Sequence, residues 1–137
     1  MKLISYLTFD GQAEEAFKFY EKALGGKITA MMPHAGTPAE AHVPKEQLAK
    51  IMHARLEVGD QVLMASDAMV NHYKQPAGIS VSVNVKSAEE AERIFNALAD
   101  GAKAVTMPIQ ETFWSPKFGM LTDRFGIPWM VNCEPAS

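Results

Sequence analysis

The chain has 137 residues, 47% hydrophobic and 21% charged, with a net charge of −3 and a pI near 5.8, the make-up of one ordinary globular domain. Its 13 Lys and Arg residues are scattered, with no cluster to follow a phosphate backbone, which argues against nucleic-acid binding. No apolar stretch approaches the ~20 residues of a membrane helix, and the lone Cys133 excludes an internal disulfide and a paired-cysteine metal site.

Alternation from Leu3 to Phe9 predicts a first strand. Lys2 precedes this apolar run, but Asp10 ends it early and no small-residue cleavage site follows, so it reads as a strand and not a signal peptide. A cytoplasmic location is the expectation. Residues 12–24 switch to helical spacing, with Ala13, Ala16, Phe17, Tyr20 and Leu24 on one stripe, Asp10 as candidate N-cap and Gly25-Gly26 as the stop. A strand over Lys27–Met32 leads into an aperiodic loop, 34–47. Strands over Lys50–Val58 and Gln61–Ala65 follow, joined tightly through Gly59-Asp60, and a second loop runs to Gly78.

The pattern then begins again. Ile79, Val81, Val83 and Val85 alternate with Ser80, Ser82 and Asn84, predicting a strand with one apolar and one polar face. Ser87-Ala-Glu-Glu90 is a capping box ahead of the stripe Ala91, Ile94, Phe95 and Leu98, which Asp100-Gly101 closes. Strands are predicted near Lys103–Ile109, Lys117–Asp123 and Pro128–Cys133. Strand, helix and three strands, written twice, is a repeat of pattern with little residue identity. The expected organisation is one domain over 1–137, with module one at 1–66, a loop at 67–78 and module two at 79–133.

A four-stranded sheet with one helix buries only its helix-covered face. Two such sheets side by side make a cup, and the row Ser80, Ser82 and Asn84 either lines its cavity or faces solvent. The two long loops are candidate lids or dimer contacts.

The segment 110–132 holds both tryptophans and three of the seven phenylalanines. Trp114 is a candidate for stacking on a flat ligand or for core filling. Trp129 is expected to face the helix. His53 shares a polar face with Arg55 and Glu57, either as a surface residue or as a base working near neutrality. His34, His42 and His72 lie in loops, where solvation is expected. Asp67 is a strand-end cap or a carboxylate facing the pocket. Glu111 is an acid–base candidate beside an aromatic wall or an ion-pair partner for Lys117 or Arg55.

Several segments carry a resemblance to a known family: Tyr6-Leu-Thr-Phe-Asp-Gly11, Ala16-Phe-Lys-Phe-Tyr20, Leu24-Gly-Gly26, Leu63-Met-Ala-Ser-Asp67, Gln110-Glu-Thr-Phe-Trp114 with Phe118-Gly119, and Asp123-Arg-Phe-Gly-Ile-Pro-Trp-Met-Val-Asn132. With the doubled βαβββ pattern, the chain resembles the vicinal oxygen chelate superfamily of glyoxalase I, extradiol dioxygenases and bleomycin- and fosfomycin-resistance proteins. Within it, the match is to the PhnB-like (3-demethylubiquinone 3-methyltransferase-like) branch. The resemblance implies an α+β fold of two βαβββ modules forming a cupped mixed sheet, and a homodimer.

Active members of that superfamily place one metal ligand on each of four strands. Counting along this sequence puts those positions near Ser5, Met64, Ser80 and Met130. Hydroxyls and thioethers are poor ligands for hard divalent ions, so no metal and no cofactor are expected. Methyl transfer in the common fold needs a glycine-rich turn between a strand and a helix, whereas Gly25-Gly26 follows a helix. The expected function is metal-independent binding of a small molecule by Ser5, His53, Met64, Ser80, Glu111, Trp114 and Met130. The alternatives are a glyoxalase-type lyase or isomerase, with a displaced metal site or with Glu111 and His53 as an acid–base pair, and an interaction module with an empty cup.

Overall fold

A computed structural model describes residues 1–135. The chain folds as two compact units, one over Met1–Lys74 and one from Gln75 onward. The first unit contains β1 (Ser5–Phe9), α1 (Ala13–Leu24), β2 (Lys27–Pro33), β3 (Ile51–Val58) and β4 (Gln61–Asp67), in a mixed sheet of order β1-β4-β3-β2. The second repeats this plan with β5 (Val81–Val85), α2 (Ala88–Ala99), β6 (Ala104–Gln110), β7 (Phe118–Thr122) and β8 (Pro128–Cys133), in the order β5-β8-β7-β6. The parallel pairs are β1 with β4 and β5 with β8, and the others are antiparallel. The α+β class and the two βαβββ modules match the sequence expectation. No helix among the described residues is long and apolar enough to cross a membrane.

In the first unit the core lies between α1 and one sheet face. Phe9, Phe17 and Tyr20 pack ring to ring at 6.0–6.3 Å over the buried Ala54, Leu56 and Ala65. Burying such side chains is the main favourable term in folding, at about 1.5–3 kcal/mol for a large apolar one. Gly25 ends α1 in the left-handed conformation at φ 72°, where glycine has no Cβ to clash.

The start of α1 differs from expectation. Gln12 occupies the N-cap and makes no side-chain cap bond, so Asp10 does not cap the helix. Asp67 does so from the end of β4. Its buried carboxylate accepts the Ala13 amide at 2.9 Å through Oδ1 and the Ile51 amide at 2.9 Å through Oδ2. One side chain thereby ties together the starts of α1 and β3.

In the second unit α2 buries Ala91, Ile94, Phe95 and Leu98, the stripe read from the sequence. Ser87 accepts the Glu90 amide at 3.2 Å, while the reciprocal half of the capping box is not made among the described residues. Gly119 is where β7 meets the helix closely: a Cβ there would lie 2.5 Å from the Phe95 ring and 3.1 Å from the Ile109 backbone. Asp123, fully buried, accepts the Phe125 and Ile127 amides and the Trp129 indole N–H at 2.8–3.0 Å, and so organises the whole β7–β8 turn. The strand predicted from Ile79 begins at Val81, and Ile79 is 78% exposed. The loop over 34–47 contains two short 3-10 turns, Pro38–His42 and Lys45–Gln47.

Candidate functional site

Each sheet has one face covered by its helix and one facing away from it, and strand parity decides which side chains occupy the open face. In the first unit Phe9 packs on α1, so Leu7 and Ser5 share its side while Tyr6 and Thr8 point away. This corrects the placement of Ser5: the open-face position at the start of β1 belongs to Tyr6. Tyr6 sits beside Met64, and Met64 beside Arg55. His53 lies across from Met32, and Glu57 lies between Val62 and Lys27.

The side chains on this face meet in two pairs. Tyr6 Oη stands 3.4 Å from His53 Nδ1, with the two rings stacked at 6.1 Å and tilted by 29°. The Arg55 Nε–H donates to Glu57 Oε2 at 3.3 Å. His53 and Met64 therefore stand on the open face of this sheet, and Tyr6 is the member that sequence reasoning missed. Its hydroxyl meets a histidine 47 residues away, a distance that no local pattern reveals.

In the second unit the Gly119 approach to Phe95 marks the α2 side of β7, so Phe118 and Met120 point away from the helix. Register extends that assignment. Phe118 pairs with Asn132, Met120 with Met130, Met130 with Ser82, and Asn132 with Asn84. These residues form the open face, while Trp129, as expected, and Val131 are buried on the α2 side. Asn132 donates an amide N–H to Asn84 Oδ1 at 3.2 Å, and Asn84 donates to Ser82 Oγ at 3.2 Å. At the far end of this chain, Asn132 Oδ1 is buried with no hydrogen-bond partner among the described residues. Met130 lies on this open face, Asn132 was missed although it shares Met130's parity, and Ser80 is exposed just before β5.

The loop between β6 and β7 carries Glu111 and Trp114. Thr112 and Ser115 pin it: the Ser115 amide donates to Thr112 Oγ1 at 3.1 Å, and the Thr112 amide to the Ser115 carbonyl at 2.9 Å. The buried Ser115 hydroxyl lies 2.7–2.8 Å from the Lys117 and Cys133 carbonyls. Trp114 stands edge-to-face on Phe118 at 5.3 Å and on Phe113 at 4.8 Å, leaving Trp114 45% and Phe113 97% exposed. Because Phe118 belongs to the open face, Trp114 forms its aromatic rim. Glu111 is exposed and forms no ion pair among the described residues. Lys117 pairs with Glu92 at 3.7 Å and Arg55 with Glu57, so neither is its partner.

Among the loop histidines, His42 and His72 are exposed, but His34 is buried, its Nδ1–H donating to the Lys50 carbonyl at 3.3 Å.

A model of the 3-demethylubiquinone-9 3-methyltransferase family matches residues 1–132. The chain belongs to this family. Protein YjdN of Escherichia coli (strain K12) is 32% identical over 140 residues, covering 96% of this chain and 95% of YjdN. Among solved structures, protein PA1353 from Pseudomonas aeruginosa is similar at a TM-score of 0.89 and 50% identity over 98% of each chain. A putative 3-demethylubiquinone-9 3-methyltransferase, PhnB protein, from Bacillus cereus follows at TM-score 0.80 and 27% identity, over 97% of this chain and 99% of that one. A glyoxylase/bleomycin resistance protein/dioxygenase domain from Frankia sp. EAN1pec, at 14% identity and TM-score 0.64 over 97% of this chain and 94% of that one, shares the fold alone. The chain is thus a PhnB-like protein with the glyoxalase/bleomycin-resistance fold.

A metal centre of the kind that resemblance implies does not fit these residues. The counted positions hold Ser5, Met64, Ser80 and Met130, and Ser5 shares the helix-side parity of β1. Among the described residues no three His, Cys, Asp or Glu side chains come together to hold an ion. Thioether and hydroxyl donors lack the charge and basicity that hard divalent cations require.

Proposed function

We propose that this protein is a small-molecule-binding protein of the glyoxalase/bleomycin-resistance type that works without a bound metal. The observation carrying the reading is the open face of the second sheet. There the Ser82–Asn84–Asn132 chain lies beside Phe118, Trp114 and the thioethers of Met120 and Met130. Apolar and aromatic walls with a few oriented polar groups are what a small-ligand site requires. The amides offer hydrogen bonds with no net charge, the aromatic rim offers stacking, and the soft methionines adapt to an irregular ligand.

Membership of the vicinal oxygen chelate superfamily fits this reading as a fold-level analogy. So do a homodimeric assembly and a cytoplasmic location. Methyl transfer is not assigned: Gly25-Gly26 closes α1 in a left-handed cap and does not open a helix toward a methyl donor. A second reading, a lyase or isomerase, draws on the Tyr6–His53 contact, a candidate acid–base pair other than the Glu111 and His53 pair that the sequence offered as an alternative.

A thermal-shift screen of the full chain with small aromatic and oxygenated compounds tests the proposal, because a ligand that binds only the native state raises the melting temperature. The expected result is a set of hits whose shifts are the same with and without excess EDTA. Hits that vanish on chelation would favour the metal-dependent enzyme, and a screen without any hit would leave the interaction module.

A further inference from the structure

The open face of the first sheet differs in chemistry from that of the second. Where the second carries neutral amides and an aromatic rim, the first carries Tyr6, His53 and Arg55 around Met64. The geometry points to an oxyanion subsite here, built to hold the carboxylate of a small organic acid. This inference rests on the small-molecule-binding reading above and names the ligand class for that face.

Three observations carry it. The first is that Arg55 is held but not consumed. Its Nε–H bonds Glu57 Oε2 at 3.3 Å, and neither Nη group is hydrogen bonded among the described residues. Four N–H donors in a planar fork are left, the shape that grips a carboxylate by two parallel bonds.

The second is that the Tyr6–His53 pair keeps a donor in every protonation state. If the phenol donates to Nδ1, the imidazole Nε2–H is free. If Nδ1 carries the proton and donates to the phenolic oxygen, the tyrosine O–H is free. A charged imidazolium leaves both free. The stacking of the two rings restrains the donors in place.

The third is placement. Tyr6, Met64 and Arg55 come from three adjacent strands in one cross-sheet row, and His53 precedes Arg55 by two positions on the same face. The donors thus stand on β1 and β3, on one face of the sheet, with the Met64 thioether of β4 between Tyr6 and Arg55. Glu57 does not cancel the site, because it engages Arg55 through Nε alone and leaves both Nη groups for a ligand.

The test uses benzoate and its neutral isostere benzamide, followed by backbone-amide NMR on the full chain. The expected result is that benzoate perturbs amides around Tyr6, His53, Arg55 and Met64, and that benzamide at equal concentration does not. Arg55→Gln should weaken benzoate about tenfold or more, the worth of a charge-assisted bond, with an unliganded spectrum that reports an intact fold. Tyr6→Phe, which removes only a hydroxyl, should weaken it severalfold and guards against a misfolded arginine variant.

Equal binding of the acid and the amide overturns the inference, as does wild-type benzoate affinity in both variants. Inorganic phosphate perturbing the same amides where benzoate does not would overturn the assignment to a carboxylate. Failure here is separable from failure of the proposed function. Neutral aromatics acting on the second unit, without a preference for benzoate, would remove the oxyanion subsite and keep the binding protein. Benzoate acting at Arg55, with no neutral aromatic acting near Trp114, would keep the oxyanion subsite and remove the second open face as a binding site.

Discussion

The indole N–H of Trp129 donates to Asp123 Oδ2 at 2.8 Å, with both side chains buried. The other oxygen of the same carboxylate holds the backbone amides of Phe125 and Ile127 at 2.8 and 3.0 Å. The segment Asp123-Arg-Phe-Gly-Ile-Pro-Trp129 is therefore a structural lock that sets the register of β8, and with it the open-face positions of Met130 and Asn132.

Asp123→Ala leaves three buried donors without their acceptor and is expected to cost about 3 kcal/mol or more. Asp123→Asn keeps one carbonyl oxygen for the two amides but turns an N–H₂ toward the indole if that oxygen faces them, so its cost should be smaller. Urea unfolding of both variants checks the order. Equal, negligible losses would contradict the lock.

Asp67 makes a second such brace. Asp67→Ala removes the acceptor of both the Ala13 and Ile51 amides and should destabilise by about 2–3 kcal/mol. Asp10→Ala, at the position that the sequence favoured as the cap, should change stability by less than about 0.5 kcal/mol. The comparison is again read from denaturant midpoints.

That pair also shows what sequence could and could not reveal. Alternation and 3.6-residue spacing are local, so both helices, the Gly25 stop and the Ser87 cap were legible. The capping of α1 by Asp67 spans 54 residues, and the Tyr6–His53 contact spans 47, so each depends on strand pairing that periodicity does not encode. The start of β5 was misplaced for a similar reason. The alternation of Ile79 carries no information about its partner strand, and the next rung before Val81–Trp129 would set Ser80 against Pro128, which has no N–H to give the ladder. Ser5 was assigned by counting from α1, and a shift of one residue moves a side chain to the other face.

Gly119→Ala tests the close approach of α2 to β7. A methyl group 2.5 Å from the Phe95 ring forces one of them to move, at an expected cost of about 1–3 kcal/mol. Phe95→Leu in the same chain should recover part of that loss, a coupling that a double-mutant cycle measures directly.

The two tryptophans separate the binding face from the core by fluorescence. Trp114 is half exposed and Trp129 buried, so acrylamide should quench the former far more strongly. A ligand stacked at the rim should protect Trp114 and leave Trp129 unchanged. Trp114→Ala should lower affinity for aromatic ligands by about tenfold while costing under about 1 kcal/mol of stability. Unchanged affinity in that variant would remove the aromatic rim from the site.

Methyl signals of the methionines offer the most direct test of metal-free binding. The chain has nine methionines, among them Met120 and Met130 on the second open face and Met64 on the first. With ¹³C-methyl methionine incorporated, an aromatic ligand added in excess EDTA should shift the Met120 and Met130 signals. The account is contradicted if those signals stay fixed under EDTA and move only after one equivalent of a divalent metal per chain is supplied.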